Sequence, residues 1–262
     1  MRRFLGRVLA LCLAALPLAA HCGDLTLYTE EYPPINFSRD GKAAGLSTEV
    51  VEEILRRTGT HVSIAVVPWA RDYRSALEEP NVGLFVAMRT PEREPLFKWV
   101  GPVTTVRTSF YSRRGSTEVK VASLDEARKA EVIAVPREWF SHQVLRSLGF
   151  ANLDAVANTD VMVRMALTGR AQLMVADNQT LPAQLAQVDA TMAQVDRHYT
   201  FMKTSSYIAF SRGTPDAVVR QWQQTLNEMK RDGSFARIYT RWLPSDTPPG
   251  VEAEPDMVPT PR

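Results

Sequence analysis

A chain of 262 residues with 31 Lys+Arg against 29 Asp+Glu carries a formal charge of only +2, which excludes the strongly basic surface that nucleic acid or an anionic membrane selects. Setting aside the three arginines of the leader described next leaves the basic side one short of the acidic side. The length fits one large domain or two lobes of ordinary size.

Residues 1–23 carry Arg2, Arg3 and Arg7, then an apolar run over 8–20 rich in Leu and Ala, and no acidic residue. That is the pattern of a secretory signal peptide, with cleavage expected between residues 20 and 23. His21 stands where a lipid-anchored start at Cys22 would need a small residue, so no lipid anchor is expected. No later segment approaches the roughly 18 uninterrupted apolar residues of a membrane span; the mature protein is expected to be soluble, without direct membrane insertion. Both cysteines, Cys12 and Cys22, lie in or beside the leader, so the core must hold the fold without disulfides.

The segment 25–29 alternates like a strand. Ser47 or Thr48 is then expected to cap a helix whose apolar face is Val50, Val51, Ile54 and Leu55, with acids early, Arg56 and Arg57 late, and Gly59 as the stop. A strand over 61–67, a short helix over 71–77 and a strand over 82–88 follow, the order of a parallel sheet with crossover helices. The pattern returns with a strand over 131–135, helices over 141–148 and 160–167, and a strand over 171–176. Two extended stretches, 103–112 and 205–211, bracket this second unit like a two-strand hinge. The end is helical, with Thr214-Pro215 as cap and first residue and Val218, Val219, Trp222, Leu226 and Met229 on one stripe. Phe235, Ile238, Tyr239 and Trp242 continue it as core. Residues 245–262 hold five prolines and no apolar periodicity, and are expected to be a disordered tail.

Ligands of open parallel α/β sheets bind beyond the carboxyl ends of the strands. That rule selects Tyr32, Trp69, the stretch 89–93, the stretch 136–139 and Asp177. Thr90 is suited to cap a short helix with Pro91 in its first position, leaving free N–H groups for an anion, and Arg93 offers a planar fork for a carboxylate. Equally, Arg89 and Arg93 could pair with Glu92 and Glu94 on the surface. Asp177 could bind an ammonium or cap a helix starting near Thr180; Tyr32 and Trp69 could wall a site or pack as core. His61, His142 and His198 have no metal spacing, and neither a nucleophile motif nor a phosphate-cradling glycine loop is present. No metal or cofactor is expected.

In order, EEYPPINF (30–37), GKAAGLSTEVVEEILRRTG (41–59), RTPERE (89–94), TGRAQLMVADN (168–178) and LNEMKRDGSFARIYTRWL (226–243) resemble the family 3 extracellular solute-binding proteins, the polar amino-acid receptors of ABC importers. The resemblance implies an α/β, two-lobe periplasmic binding protein fold of type II, with two hinge strands and the ligand in the interlobe cleft. Lobe 1 would comprise 24–106 and 206–244, and lobe 2 with the hinge strands 107–205. It implies that Arg93 binds an α-carboxylate, that Asp177 binds an α-ammonium and that Tyr32 packs on the ligand. The chain departs from the family at Val86 and Met88, where small or hydroxyl residues are usual. It departs again at Arg137, Glu138 and Trp139, where a Gly-Ser turn is usual, and at Gln172, where an aspartate is common. Met88, Arg89, Thr90, Arg137 and Trp139 therefore join the candidate ligand contacts. The implied protein is a periplasmic monomer that closes without chemistry on a small amino-acid-like or anionic metabolite and delivers it to an ABC permease. Two other readings share the scaffold: a cyclohexadienyl dehydratase-like enzyme using Glu138 or Asp177 as acid or base, and a ligand-sensing module for a membrane receptor.

Overall fold

The computed structural model describes residues 25–90, 93–116, 120–137, 139–251 and 256–260; the leader, Pro91 and Glu138 lie outside them. In chain order the first half contributes β1 (Thr26–Thr29), β2 (Phe37–Arg39), β3 (Lys42–Ala44), α1 (Leu46–Thr58), β4 (Ile64–Val66), α2 (Trp69–Glu78) and β5 (Val82–Met88). The long β6 (Phe97–Arg113) leads to α3 (Leu124–Ala127), β7 (Ile133–Pro136), α4 (Phe140–Ser147), β8 (Leu153–Val156), α5 (Thr159–Leu167), β9 (Leu173–Asp177) and α6 (Leu181–Ala186). An equally long β10 (Val195–Ser211) returns to α7 (Asp216–Arg231) and α8 (Ser234–Trp242).

The strands order as β4-β1-β5-β10-β6-β9-β7-β8. β4, β1 and β5 run parallel, and so do β9, β7 and β8, as strand–helix–strand crossovers require. β6 and β10 pair antiparallel from Phe97↔Ser211 to Arg113↔Val195 and carry the chain between the two halves. β5 leaves β10 at Ser206 and β9 joins β6 only at Thr108, so between these points the sheet is two strands wide. The apolar clusters divide the same way. Leu27, Ile54, Phe85, Trp222, Phe235 and Tyr239 form one core, whereas Phe110, Ile133, Leu145, Leu173 and Phe201 belong to another. The molecule is thus an α/β protein of two lobes, and the expected core aromatics Trp222, Phe235 and Tyr239 are buried.

Several local expectations are corrected. Ser47 and Thr48 do not cap α1; they lie buried inside it, and Gly45 is the N-cap with φ 117°. A Cβ on Gly45 would sit 2.5 Å from the Ile35 carbonyl oxygen, so close backbone approach, not side-chain capping, sets where the helix starts. Gly45→Ala is expected to cost about 2 kcal/mol or more, read as a lower urea midpoint. It would also displace Asn36, whose Nδ2 holds the Glu30 carbonyl beside the site. The β2–β3 hairpin was not anticipated, although Asp40-Gly41, both at positive φ, is the usual two-residue hairpin signal. Nor were α3 and β8, which are too short to show a period.

The tail is not structureless where it is described. Asp246 accepts hydrogen bonds from Gln179 and Tyr239, Gly250 O accepts from Lys230 Nζ, and Met257 exchanges both backbone hydrogen bonds with Lys203 at 2.8 Å. Its prolines prevent a regular ladder, but isolated polar anchors suffice to hold it.

Candidate ligand-binding site

Asp177 is the last residue of β9 and is 4 % exposed. Its Oδ1 accepts from the backbone N–H groups of Gln179 and Thr180, both at 2.9 Å, and Oδ2 accepts from the Thr180 hydroxyl at 2.5 Å. The carboxylate therefore does cap the turn into α6, as its spacing allows. It also does what no local rule foretells: Oδ2 accepts from the Tyr32 hydroxyl at 2.8 Å, across 145 positions of sequence and from one lobe to the other. Burial and the neighbouring carboxylate hold the Tyr32 phenol in its protonated form, well above the ordinary range. Trp139, the N-cap of α4, meets the Tyr32 ring edge-on at 6.2 Å. Tyr32, Trp139 and Asp177 are thus brought together.

A second group gathers at the carboxyl ends of β1 and β5. Arg93 lies over Trp69 at 5.1 Å and Tyr73 at 5.4 Å, and its Nη1 donates to the Met88 carbonyl at 3.4 Å. Rings one turn apart on α2 thus hold the guanidinium through their negative faces. Residues 69, 72, 73 and 76 share one helix face, and Asp72 on it is fully buried. Its Oδ1 accepts from the Tyr73 N–H, whereas Oδ2 has no partner. Burial pushes the Asp72 carboxyl up to about 7, offset in part by that N–H and reinforced by Glu30. Glu30 itself, just past β1, is raised by burial to about 7, with Arg93 partly offsetting the rise. Glu30 also acts on Tyr32, which makes it the electrostatic link between the two groups.

Glu30, Asp72 and Tyr73 were not among the sequence candidates. Glu30 stands at a strand end, where the rule used for its neighbours would have found it. A carboxylate on the apolar face of a short helix was the signal for Asp72.

Other candidates are engaged elsewhere. Arg89 forms a two-pronged pair with Glu94 at 2.6 and 2.7 Å and lies near the Trp99 and Tyr207 rings, which is the surface-pairing alternative for that residue. Arg137 is exposed; its Nη2 donates to the Ala155 carbonyl, and it borders a cavity of about 380 Å³ with His142, Arg146 and Phe150 by the edge strand β8. Of the helix expected after Thr90, residues 91 and 92 lie outside the described ones; Arg93 N donates to both Thr90 O and the Thr90 hydroxyl, Glu94 N donates to Thr90 O, and residues 94–96 form a short 3-10 turn. Half-buried Met88 serves through its carbonyl.

The sequence profile of the bacterial extracellular solute-binding proteins, family 3, matches residues 25–245. Among curated proteins, the L-cystine-binding protein TcyA of Bacillus subtilis (strain 168) is 22% identical over 227 residues, covering 86% of this chain and 82% of the relative. Among solved structures, a histidine kinase sensor domain with similarity to periplasmic binding proteins superposes with a TM-score of 0.73 at 18% identity, covering 84% of this chain and 96% of the other. A mutant of ArgBP from T. maritima reaches 0.70 at 17% identity, over 85% of this chain and 96% of the other. At such identities the structural likenesses establish the two-lobe fold.

Proposed function

Because the chain belongs to the bacterial extracellular solute-binding proteins, family 3, a family of binders and not catalysts, we propose that it captures a free α-amino acid between its lobes. Arg93 takes the α-carboxylate, Asp177 takes the α-ammonium, and Tyr32, Trp69 and Trp139 enclose the remainder. Export by the leader, residence in the periplasm as a monomer and delivery to an ABC permease complete the reading. The observation that carries it is the hydrogen bond from Tyr32 to Asp177, because it puts an aromatic wall of one lobe and a buried carboxylate of the other at a common point. A ligand ammonium would replace the Tyr32 hydroxyl at Oδ2 while the backbone donors at Oδ1 stay in place.

The acids around Arg93 refine the ligand class. Glu30 and Asp72 add negative potential beside Arg93, which favours an amino acid with a second positive charge. Ornithine, lysine and arginine are therefore expected to bind more tightly than neutral amino acids, and glutamate least. As pH rises through about 7, Glu30 loses its proton, and the preference for the second cation should grow.

The test is a thermal-shift and calorimetric panel of L-amino acids at pH 6 and pH 8. Ligand at about 100 times its dissociation constant stabilises by about 2.7 kcal/mol, a readily seen rise in Tm. Absence of a shift with every α-amino acid would remove the proposed function; tightest binding of an acidic amino acid at pH 8 would remove the cationic preference alone.

A further inference from the structure

The described residues after α8 lie on both sides of the sheet's narrowest part and, at 256–257, against it. Over residues 105–107 and 203–205 β6 and β10 are the two strands that pair, from Thr105↔Ser205 to Arg107↔Lys203. Met257 N donates to Lys203 O and Lys203 N to Met257 O, both at 2.8 Å, and Ser205 N donates to Asp256 Oδ1 at 2.9 Å. These bonds lay a third length of chain beside β10 within the two-strand span. Anchors in both lobes flank this span. On the first-lobe side Lys230 Nζ, from α7, donates to Gly250 O at 2.6 Å and to Pro102 O at 2.8 Å. On the other, Val258 packs against the second-lobe cluster that contains Phe201 and Met202.

Asp246 makes the most consequential connection. Its Oδ2 accepts from Gln179 Nε2 at 2.7 Å and from the Tyr239 hydroxyl of α8 at 2.9 Å, while Oδ1 accepts from Asn178 Nδ2 at 3.4 Å and lies 3.8 Å from Arg107 Nη1. Gln179 in turn donates its backbone N–H to Asp177 Oδ1 and its side-chain amide to Thr105 O on β6. One carboxylate thereby ties the last helix of the first lobe, a hinge strand and the turn that orients Asp177.

We propose that the tail is a strap that limits how far the lobes open about β6 and β10, with Asp246 as the positioning residue that couples it to the Asp177 turn. Rotation about two strands changes the separation of points anchored in opposite lobes. Asp246, hydrogen-bonded to Tyr239 of the first lobe and to Gln179 of the second, must give up one of these partners before the cleft can widen. The strap narrows the range of ligand-free openings, so less reorganisation accompanies closure and a captured ligand leaves more slowly. The consequence for ligand release rests on the binding function proposed above; the limit on opening does not.

The test uses Cys12→Ser, Cys22→Ser protein with spin labels at Arg146→Cys and Arg220→Cys, one on each lobe, and measures their distance distribution without ligand. Three variants are compared with the parent: Asp246→Asn, Met257→Pro, which deletes the donor to Lys203, and a chain ending at Pro244. The expected result is a longer and broader distribution in the truncated chain and an intermediate one in each point variant. If truncation prevents folding, the two point variants decide the matter, since Met257 is exposed and outside the core. Where the parent binds arginine, dissociation should be at least tenfold faster after truncation or Asp246→Asn, and Asp246→Glu should recover part of the loss. Distributions identical to the parent in the folded variants would overturn the strap, whether or not any amino acid binds. Binding lost in the parent with a widened truncated chain would instead leave the strap standing and remove the proposed ligand.

Discussion

Arg93→Ala is expected to weaken binding of a free α-amino acid by about 10- to 150-fold, the range of about 1.5–3 kcal/mol carried by a hydrogen bond to a charged group. Three consequences separate this from a general loss of fold. Trp69 and Tyr73 remain in contact with each other at 5.3 Å without the guanidinium, so the wall persists. Glu30 loses the Arg93 charge that restrains its rise above the carboxylate range, so its titration moves upward; its proton uptake offsets only part of the lost positive charge, so the site turns more negative and cationic ligands lose less affinity than neutral ones. Arg93→Lys keeps the charge but replaces the fork with a point donor, and should recover only part of the loss. Calorimetry with arginine and its carboxamide checks the assignment directly: the carboxamide, lacking the α-carboxylate, should bind the parent and Arg93→Ala with similar affinity. An amino-acid affinity unchanged in Arg93→Ala would take Arg93 out of the site.

The second large effect concerns stability and pH. Asp72 is fully buried, one of its oxygens lacks a partner, and its carboxyl ionises near 7 in the folded protein against an ordinary 3.8. The folded state therefore binds the proton more tightly than the unfolded state. That advantage is complete below about 3.8 and is lost as pH rises through about 7, by roughly 2–4 kcal/mol. Asp72→Asn removes it. Urea unfolding at pH 5 and pH 8 should show the parent losing stability relative to the variant by that amount, on top of any pH-independent offset from the amide. Glu30, raised for the same reason, keeps part of the slope in the variant. Lys230, lowered by burial from 10.5 to about 7, acts with the opposite sign in a higher window: the unfolded chain holds its proton more tightly, so stability rises between about 7 and 10.5. A parent-to-variant difference equal at both pH values would mean that Asp72 ionises as an ordinary surface acid.

The two effects share a cause. The Arg93 fork and the buried acids Glu30 and Asp72 sit at one end of the first-lobe strands, where desolvation strengthens every interaction. A fold that only had to be stable would not bury Asp72 with half its carboxylate unpartnered. Such concentrated electrostatic cost supports the proposal that a charged ligand is received there.

Much of the architecture was settled by the sequence alone, because it rests on short-range periods. The stripe Val50, Val51, Ile54 and Leu55 makes a helix wherever it is placed, and the unbroken apolar run over 82–88 makes a doubly covered strand. The same holds for the capping half of Asp177, whose acceptors serve N–H groups two and three residues on. Tertiary structure alone decided between chemically equal residues. Arg89 and Arg93 carry the same group four positions apart; one is taken by Glu94 and the other is held over two rings of α2. Asp72 reads as an ordinary helix carboxylate until the packing of α2 on the sheet removes its water. The Tyr32–Asp177 contact and the anchored tail depend on where the hinge strands bring distant segments, a long-range geometry to which no local propensity is sensitive.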